Sequence, residues 1–128
     1  MAAILGLLRS RPAALSLLLL TSGCLAETTA DQARQLVTAG ARLVDVTDRA
    51  EFAQGHAEGA INLPITELDR RIAELEPKDR PVIVYCHTGV RSRVAYWKLR
   101  RAGFSAVYDL GTLARWRNRV RPMTDTLF

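Results

Sequence analysis

One cysteine, followed by a polar turn with a glycine and two arginines, has the clearest potential for chemistry in this sequence. Cys86 ends an apolar run, and the five residues after it are His87, Thr88, Gly89, Val90 and Arg91. If a helix starts in this turn, its unpaired N–H groups and the positive end of its dipole face the sulfur. Arg91 and Arg93 add positive charge that stabilises a thiolate, and Gly89 lets the loop curl into a nest for an anion. The pattern predicts a nucleophilic sulfur in an anion-binding cradle.

A buried core cysteine is the simplest alternative, because free cysteines are among the most buried residues of proteins. The residues after Cys86 favour the nucleophile, since they form a polar turn with Gly and Arg and not an apolar core run.

The elements that must position this loop follow from the apolar pattern. Continuous apolar runs predict strands at 41–46, 59–64, 81–86 and 105–110. Helical spacing predicts helices after Thr29, after Asp48, over 65–75, over 92–103 and from Leu113 to Val120. Capping pairs are expected at Thr29 and Gln32, Asp48 and Glu51, and Thr66 and Asp69. Strands that alternate with helices predict an α/β fold with a parallel or mostly parallel sheet and helices on both faces.

The first 26 residues differ from the rest: they contain no acid, and their apolar stretch ends near TSGC at 21–24. A short apolar stretch of this kind is typical of a signal peptide. TSGC resembles a lipobox, so we expect Cys24 to be lipidated, with plain cleavage near Ala26 or an uncleaved anchor as alternatives. The predicted organisation is a signal peptide over 1–23, one domain over 27–121 and a tail over 122–128. The protein is then exported to the periplasm as a lipoprotein, with the lipid as its only attachment to the membrane.

Composition excludes several classes of protein. The chain has 128 residues, 48% hydrophobic and 24% charged, which indicates one ordered domain. Two cysteines cannot form a disulfide-rich scaffold, and no Cys/His spacing supplies four zinc ligands, so neither a metal nor another cofactor is expected. The net charge is +5, but the few aromatic residues do not alternate with basic ones, so nucleic acid is not an expected partner.

Four segments together resemble a single-domain rhodanese, and they cover nearly the whole predicted domain. They are LVDV at 43–46, EFAQGHAEGAINLP at 51–64, VIVYCHTGVRS at 82–92, and DLG at 109–111 with Trp116 behind it. The resemblance implies a rhodanese α/β domain with a central five-stranded parallel sheet. It also implies that Cys86 takes sulfur from thiosulfate or another sulfane-sulfur donor as a persulfide, then passes it to a thiol or to cyanide.

The resemblance also implies roles for individual residues. Residues 87–91 would cradle the persulfide, Arg91 would bind the charge of thiosulfate, and Ser92 would cap the following helix. Asp45 would brace nearby loops, but Thr47 stands where the family usually has Arg, and Arg49 is a candidate substitute. The expectations for the remaining prominent residues are a structural His56, an exposed His87 at the mouth of the site, and packing roles for Trp97 and Trp116.

Two other functions remain open at this point. A non-catalytic rhodanese-like module would bind a partner, although such modules typically lack the cysteine. Tyrosine phosphatases and arsenate reductases have five residues between Cys and Arg, whereas this chain has four. Charge favours an anionic substrate, because residues 91–121 contain nine Lys or Arg and one acid, while residues 27–90 contain seven bases and eleven acids.

Overall fold

Strands and helices alternate along residues 28–118, the part of the chain that the computed structural model describes. The strands are β1 (Arg42–Asp45), β2 (Ile61–Asn62), β3 (Val82–Cys86) and β4 (Val107–Thr112). The helices are α1 (Ala30–Thr38), α2 (Arg49–Gln54), α3 (Leu68–Arg71), α4 (Val90–Arg101) and α5 (Leu113–Arg117), and a 3₁₀ turn (Ile72–Leu75) extends α3. Between residues 28 and 118, no helix has the length and apolar character needed to cross a membrane.

The four strands form one parallel sheet in the order β2-β1-β3-β4. All five residues of β3 are buried, so the strand predicted at 81–86 is central in the sheet and covered on both faces. Asp45 on β1 pairs in register with Tyr85 on β3, so the carboxyl ends of these strands lie side by side. Cys86 is therefore placed at the edge of the sheet where ligands of parallel α/β proteins bind.

The expectation of five strands is wrong for the described residues, which form four. The chain before α1 does reach the outer edge of β4, where the Thr28 N–H donates to the Asp109 carbonyl at 3.2 Å. This single bond does not make a ladder, because a strand needs repeated backbone pairing with its neighbour.

Each face of the sheet has its own hydrophobic core, so the prediction of helices on both faces is confirmed. Side chains of β3 alternate between the two faces, with Val82, Val84 and Cys86 on one and Ile83 and Tyr85 on the other. The first core adds buried residues of α3, the 3₁₀ turn and α4, and the second adds buried residues of α1 and α5. The helix that follows Cys86 is thereby held firmly against the sheet.

Helix starts agree with the capping predictions at α1 and α2, but not at α3. Reciprocal capping boxes are present at Thr29 with Gln32 and at Asp48 with Glu51. The residue before α3 is Glu67, which makes no side-chain cap, so the expected cap of Thr66 with Asp69 is wrong. The reason is that the preceding chain is still bound to the sheet, since the Ile65 N–H donates to the Val46 carbonyl at 3.0 Å.

Several predictions lie outside the described residues. These are the leader, the lipidation of Cys24, the part of the last helix at Val120 and the tail over 122–128.

Candidate active site

The loop between β3 and α4 wraps closely around the sulfur of Cys86. This side chain is fully buried, and the Gly89 N–H donates to Sγ at 2.9 Å. Gly89 has φ +90°, a left-handed conformation that residues with a Cβ rarely adopt. The glycine thus allows the chain to turn its N–H back toward the sulfur within three residues.

Gly89 is also the N-cap residue directly before α4, and it has no side chain to cap the helix. The prediction that Ser92 caps the helix is therefore wrong. Ser92 is buried, and its hydroxyl lies 3.1 Å from the Gly89 carbonyl and 3.3 Å from the Gly111 carbonyl, where it can donate to either. The Ser92 hydroxyl thus connects the cysteine loop to the end of β4 and helps to hold the loop in place.

Arg91 is held by Glu51, a residue that sequence reasoning identified only as a helix cap. The two guanidinium nitrogens of Arg91 donate to the two carboxylate oxygens of Glu51 at 2.6 and 3.0 Å, and each side chain is 30% exposed. The bond from Arg91 and the bond from the Asp48 backbone lower the pKa of Glu51 to about 2. The Glu51 carboxylate in turn raises the pKa of Arg91, and the charge of Cys86 adds to that rise.

This pairing changes what Arg91 can do. A bidentate guanidinium–carboxylate pair fixes the side chain in one orientation and neutralises part of its field. The pair therefore ties the start of α4 to α2 and fixes the position of the Arg91 cation.

Arg93 faces β4 and supports the same loop from its other side. Its Nε lies 3.1 Å from an oxygen of Asp109, whose other oxygen accepts the Gly111 N–H at 2.9 Å. Gly111 has φ +85° and contacts the loop through Ser92. Asp109 and Gly111 are thus supporting residues, of which the sequence indicated only the DLG motif.

The end of β1 is braced by a hydroxyl in the place of the family's usual arginine. Asp45 and Thr47 are both fully buried, and one oxygen of Asp45 accepts from Thr47 twice, at 2.8 Å from N and 2.5 Å from Oγ1. The Asn62 side chain ties β2 to the same turn. Arg49 does not take this role, because it pairs with Glu67 at 3.1 Å.

Tyr85 stands beside this brace on the second face of the sheet. Its hydroxyl oxygen accepts the Ala57 N–H at 2.9 Å. Burial raises the pKa of Tyr85 well above its usual value, and the Asp45 carboxylate adds to the rise. The phenol is consequently a neutral structural group that holds the chain near His56.

The two histidines behave as predicted. His56 is structural: its Nδ1 lies 2.8 Å from the Phe52 carbonyl, and its ring stacks on Phe52 at 3.6 Å between centroids. His87 and Thr88 are exposed at the mouth of the loop. A cleft of about 380 Å³ opens beside His87, and its other lining residues are Leu113, Ala114, Arg117 and Asn118.

The two tryptophans differ. Trp116 packs against the second core and beneath Arg34, whose guanidinium carbon is 5.1 Å from the ring centroid, so its packing role is confirmed. Trp97 is 47% exposed, so the prediction that it is simply a packing residue is wrong.

These features define a parallel α/β domain with a buried cysteine, contacted by a backbone N–H, at the carboxyl edge of its sheet. The chain matches the model of the rhodanese-like domain over residues 29–119, and it belongs to that family. Relatives include the thiosulfate sulfurtransferase GlpE of Stutzerimonas stutzeri, 39% identical over 69% of this chain and 81% of the relative. The YqhL protein of Bacillus subtilis is 38% identical over 63% of this chain and 64% of YqhL, slightly less than two-thirds of its length.

A solved structure shows the same fold. The crystal structure of the Alr3790 protein from Anabaena has a TM-score of 0.63 and 35% identity, covering 70% of this chain and 84% of that one. The expected rhodanese-like α/β fold with a parallel sheet is confirmed, and the family includes sulfurtransferases among the relatives of this chain.

Proposed function

We propose that this chain is a sulfurtransferase that carries a sulfane sulfur on Cys86. The observation that supports this most directly is the Gly89 N–H, which lies 2.9 Å from the buried sulfur at the start of α4. A donor in this position stabilises negative charge on sulfur without reorganisation during the reaction. The relationship to thiosulfate sulfurtransferases supports the same chemistry.

In the first half-reaction the Cys86 thiolate attacks the outer sulfur of thiosulfate. The new bond joins Sγ to that sulfur, the sulfur–sulfur bond of thiosulfate breaks, and its electron pair leaves with sulfite. The enzyme then holds a persulfide whose terminal sulfur carries the charge. Backbone N–H groups of residues 87–91 at the positive end of α4 suit this charge, and the fixed cation of Arg91 supports it.

In the second half-reaction an acceptor thiolate or cyanide attacks the terminal sulfur. The persulfide bond breaks, its electron pair returns to Sγ, and the acceptor leaves as a persulfide or as thiocyanate. Covalent transfer in two steps predicts ping-pong kinetics. We place the approach of both substrates at His87 and Thr88, the exposed residues that directly follow Cys86.

The size of the loop favours sulfur over phosphate. Only four residues separate Cys86 from Arg91, and the loop already places the Gly89 N–H in contact with Sγ. A single sulfur atom needs less room than a tetrahedral phosphate or arsenate. We therefore place phosphatase chemistry second, as an outcome of the same experiment.

The test uses intact mass before and after thiosulfate is added to the purified full chain. We expect one added sulfur atom, removed by cyanide as thiocyanate, and no adduct on Cys86→Ser. The absence of an adduct on the wild type, or an adduct that persists in Cys86→Ser, refutes the proposal. Hydrolysis of an aryl phosphate by the same sample, lost in Cys86→Ser, replaces it with the phosphatase.

We also propose that the protein acts outside the cytoplasm, anchored by a lipid on Cys24. The support is the sequence of residues 1–26, with its acid-free composition and the TSGC segment. Labelling of the protein with a radioactive fatty acid in growing bacteria, lost in Cys24→Ala, tests this. Label retained in Cys24→Ala refutes the anchor.

A further inference from the structure

The outer face of α4 exposes apolar side chains where a surface helix is normally polar. Val90 is 68% exposed, Val94 44% and Trp97 47%. These residues are four and three positions apart, so they form one stripe along the helix, about 10 Å long from the first to the last. We call Val90, Val94 and Trp97 the α4 stripe.

The α4 stripe begins at the sulfur site. Val90 directly follows Gly89, whose N–H contacts Sγ, and Val90 is the most exposed large apolar residue between 28 and 118. Anything that covers the α4 stripe therefore also stands at the mouth of the cysteine loop. This position favours a partner that reacts with Cys86 over a partner that only covers it.

The Trp97 ring contacts an aromatic neighbour on its own helix. It makes an edge contact with Tyr96, with centroids 5.1 Å apart and planes at 82°, and Tyr96 packs against the first core. An aromatic side chain has only two torsions to restrict on binding, and tryptophan is frequent at the energetic centre of interfaces.

The surroundings of the α4 stripe are positively charged. The helix carries no acid, and its cations are Arg91, Arg93, Lys98, Arg100 and Arg101. Helical geometry places Arg93 and Lys98 on opposite sides of the stripe, where Asp109 and Asp69 hold them at 3.1 and 2.6 Å. Arg101 continues the line of the stripe and is exposed. Three of the five cations are paired with carboxylates, since Arg91 also pairs with Glu51, so the surplus of positive charge beside the stripe comes from Arg100 and Arg101. An apolar centre with this cationic surplus fits a partner with an apolar centre and an acidic rim.

We propose that the α4 stripe docks an acidic protein whose exposed cysteine accepts the sulfur from Cys86. The inference rests on the proposed function and specifies the acceptor as a protein thiol. In the transfer, the partner's thiolate attacks the terminal sulfur of the persulfide, the sulfur–sulfur bond breaks, and Cys86 leaves as a thiolate. Cyanide and other small acceptors do not need Val94 and Trp97, because these two residues of the stripe lie beyond the loop on α4.

Synthetic acceptor peptides test this with the purified full chain. One peptide has a single cysteine flanked by leucines and glutamates, and a matched peptide has lysine at every glutamate position. We expect kcat/KM for sulfur transfer to be at least about tenfold higher for the acidic peptide at low salt, with the difference shrinking as salt rises. Equal rates for the two peptides refute the proposal.

Variants on and off the α4 stripe locate the effect. Trp97→Ala and Val94→Ser are expected to lower transfer to the acidic peptide about tenfold and to leave thiosulfate–cyanide turnover unchanged. Ile61→Ala is the matched control, since Ile61 is also exposed, at 40%, but lies on the strand at the other edge of the sheet. A Trp97→Ala protein that transfers sulfur to the peptide as well as Ile61→Ala does refutes the proposal.

Two further measurements separate the docking surface from other occupants and from the proposed function. The first measurement is binding to vesicles of anionic phospholipid, together with self-association of the chain. If either depends on Trp97 while sulfur transfer to the peptide does not, the stripe contacts a membrane or a second copy, and the proposal of a protein acceptor is refuted. Binding of the acidic peptide with serine in place of cysteine, followed by fluorescence anisotropy, needs no sulfur chemistry. If the wild type binds this peptide through Trp97 but shows no thiosulfate–cyanide turnover, only the proposed function is overturned. If it shows that turnover but does not bind the peptide through Trp97, only the docking is overturned.

Discussion

The substitution Gly89→Ala tests whether the cysteine loop serves sulfur transfer or only the stability of the fold. Gly89 has φ +90°, and a Cβ added there would meet only the Gly111 Cα, at 3.8 Å. The cost of the substitution is therefore backbone strain, about 1–2 kcal/mol for a residue forced into a left-handed conformation. The loop is expected to relieve that strain by rotating the peptide, which turns the Gly89 N–H away from Sγ.

Losing this N–H removes a hydrogen bond to a charged sulfur. Such bonds contribute about 1.5–3 kcal/mol, so the rate of thiocyanate formation should fall about ten- to a hundredfold. The assay is the initial rate with thiosulfate and cyanide, measured well below the melting temperature and together with the intact mass of the persulfide.

Gly40→Ala is the matched control. Gly40 has φ +105° with no atom within 4 Å of an added Cβ, and it follows α1 at the opposite end of β1 from Asp45. Both variants should melt lower, by about 4–8 °C for each kcal/mol lost in a domain of this size. Only Gly89→Ala should lose sulfur transfer. Full activity in Gly89→Ala, or an equal loss in Gly40→Ala, would contradict the role given to the Gly89 N–H.

Three other predictions concern the supports of the loop. Thr47→Val removes a hydroxyl bonded to the buried Asp45 carboxylate and should lower the free energy of unfolding in urea by about 1.5–3 kcal/mol, whereas Thr47→Ser should lose much less. Ser92→Ala should cost about 1–2 kcal/mol and slow sulfur transfer, while the exposed Ser105→Ala stays within about 0.5 kcal/mol; equal effects would argue against the link to β4. Because the pKa of Glu51 is lowered to about 2, the ionised carboxylate stabilises the fold above pH 4.5, and this stabilisation is lost as the pH falls toward 2. The free energy of unfolding of Glu51→Gln, measured against pH, should therefore fall less steeply in that window.

The pairing of Arg91 with Glu51 bears on how the donor is held. The sequence makes Arg91 the natural cation for thiosulfate, but both of its terminal nitrogens are bonded to one carboxylate. The cation that lines the cleft beside His87 is Arg117. Within the described residues, the cleft beside His87 thus takes positive charge from the end of α5.

The cysteine loop and the central strand could be predicted from sequence because their signals are local. The four apolar residues before Cys86 predict a strand covered on both faces, and Gly89 permits the backbone conformation that the loop needs. The capping boxes at Thr29 and Asp48 are equally local, since each bond spans three residues. The resemblance to the family's motifs also predicted the order of the strands and helices.

Contacts between distant residues were decided by the tertiary structure. Glu51 and Arg91 are 40 positions apart, and Ser92 and Gly111 are 19 apart, so neither pair has a spacing that a sequence pattern can show. The same applies to Thr66, whose capping pattern is overridden because the Ile65 N–H is bonded to the sheet, and to Trp97, whose exposure depends on which face of α4 meets the strands. The sequence by itself thus determined the sulfur, its loop and the alternation of strands and helices. Only the packed structure decided the partner of Arg91, the support from Ser92 and the apolar stripe beside the site, because these depend on which surfaces meet when the sheet and its helices come together.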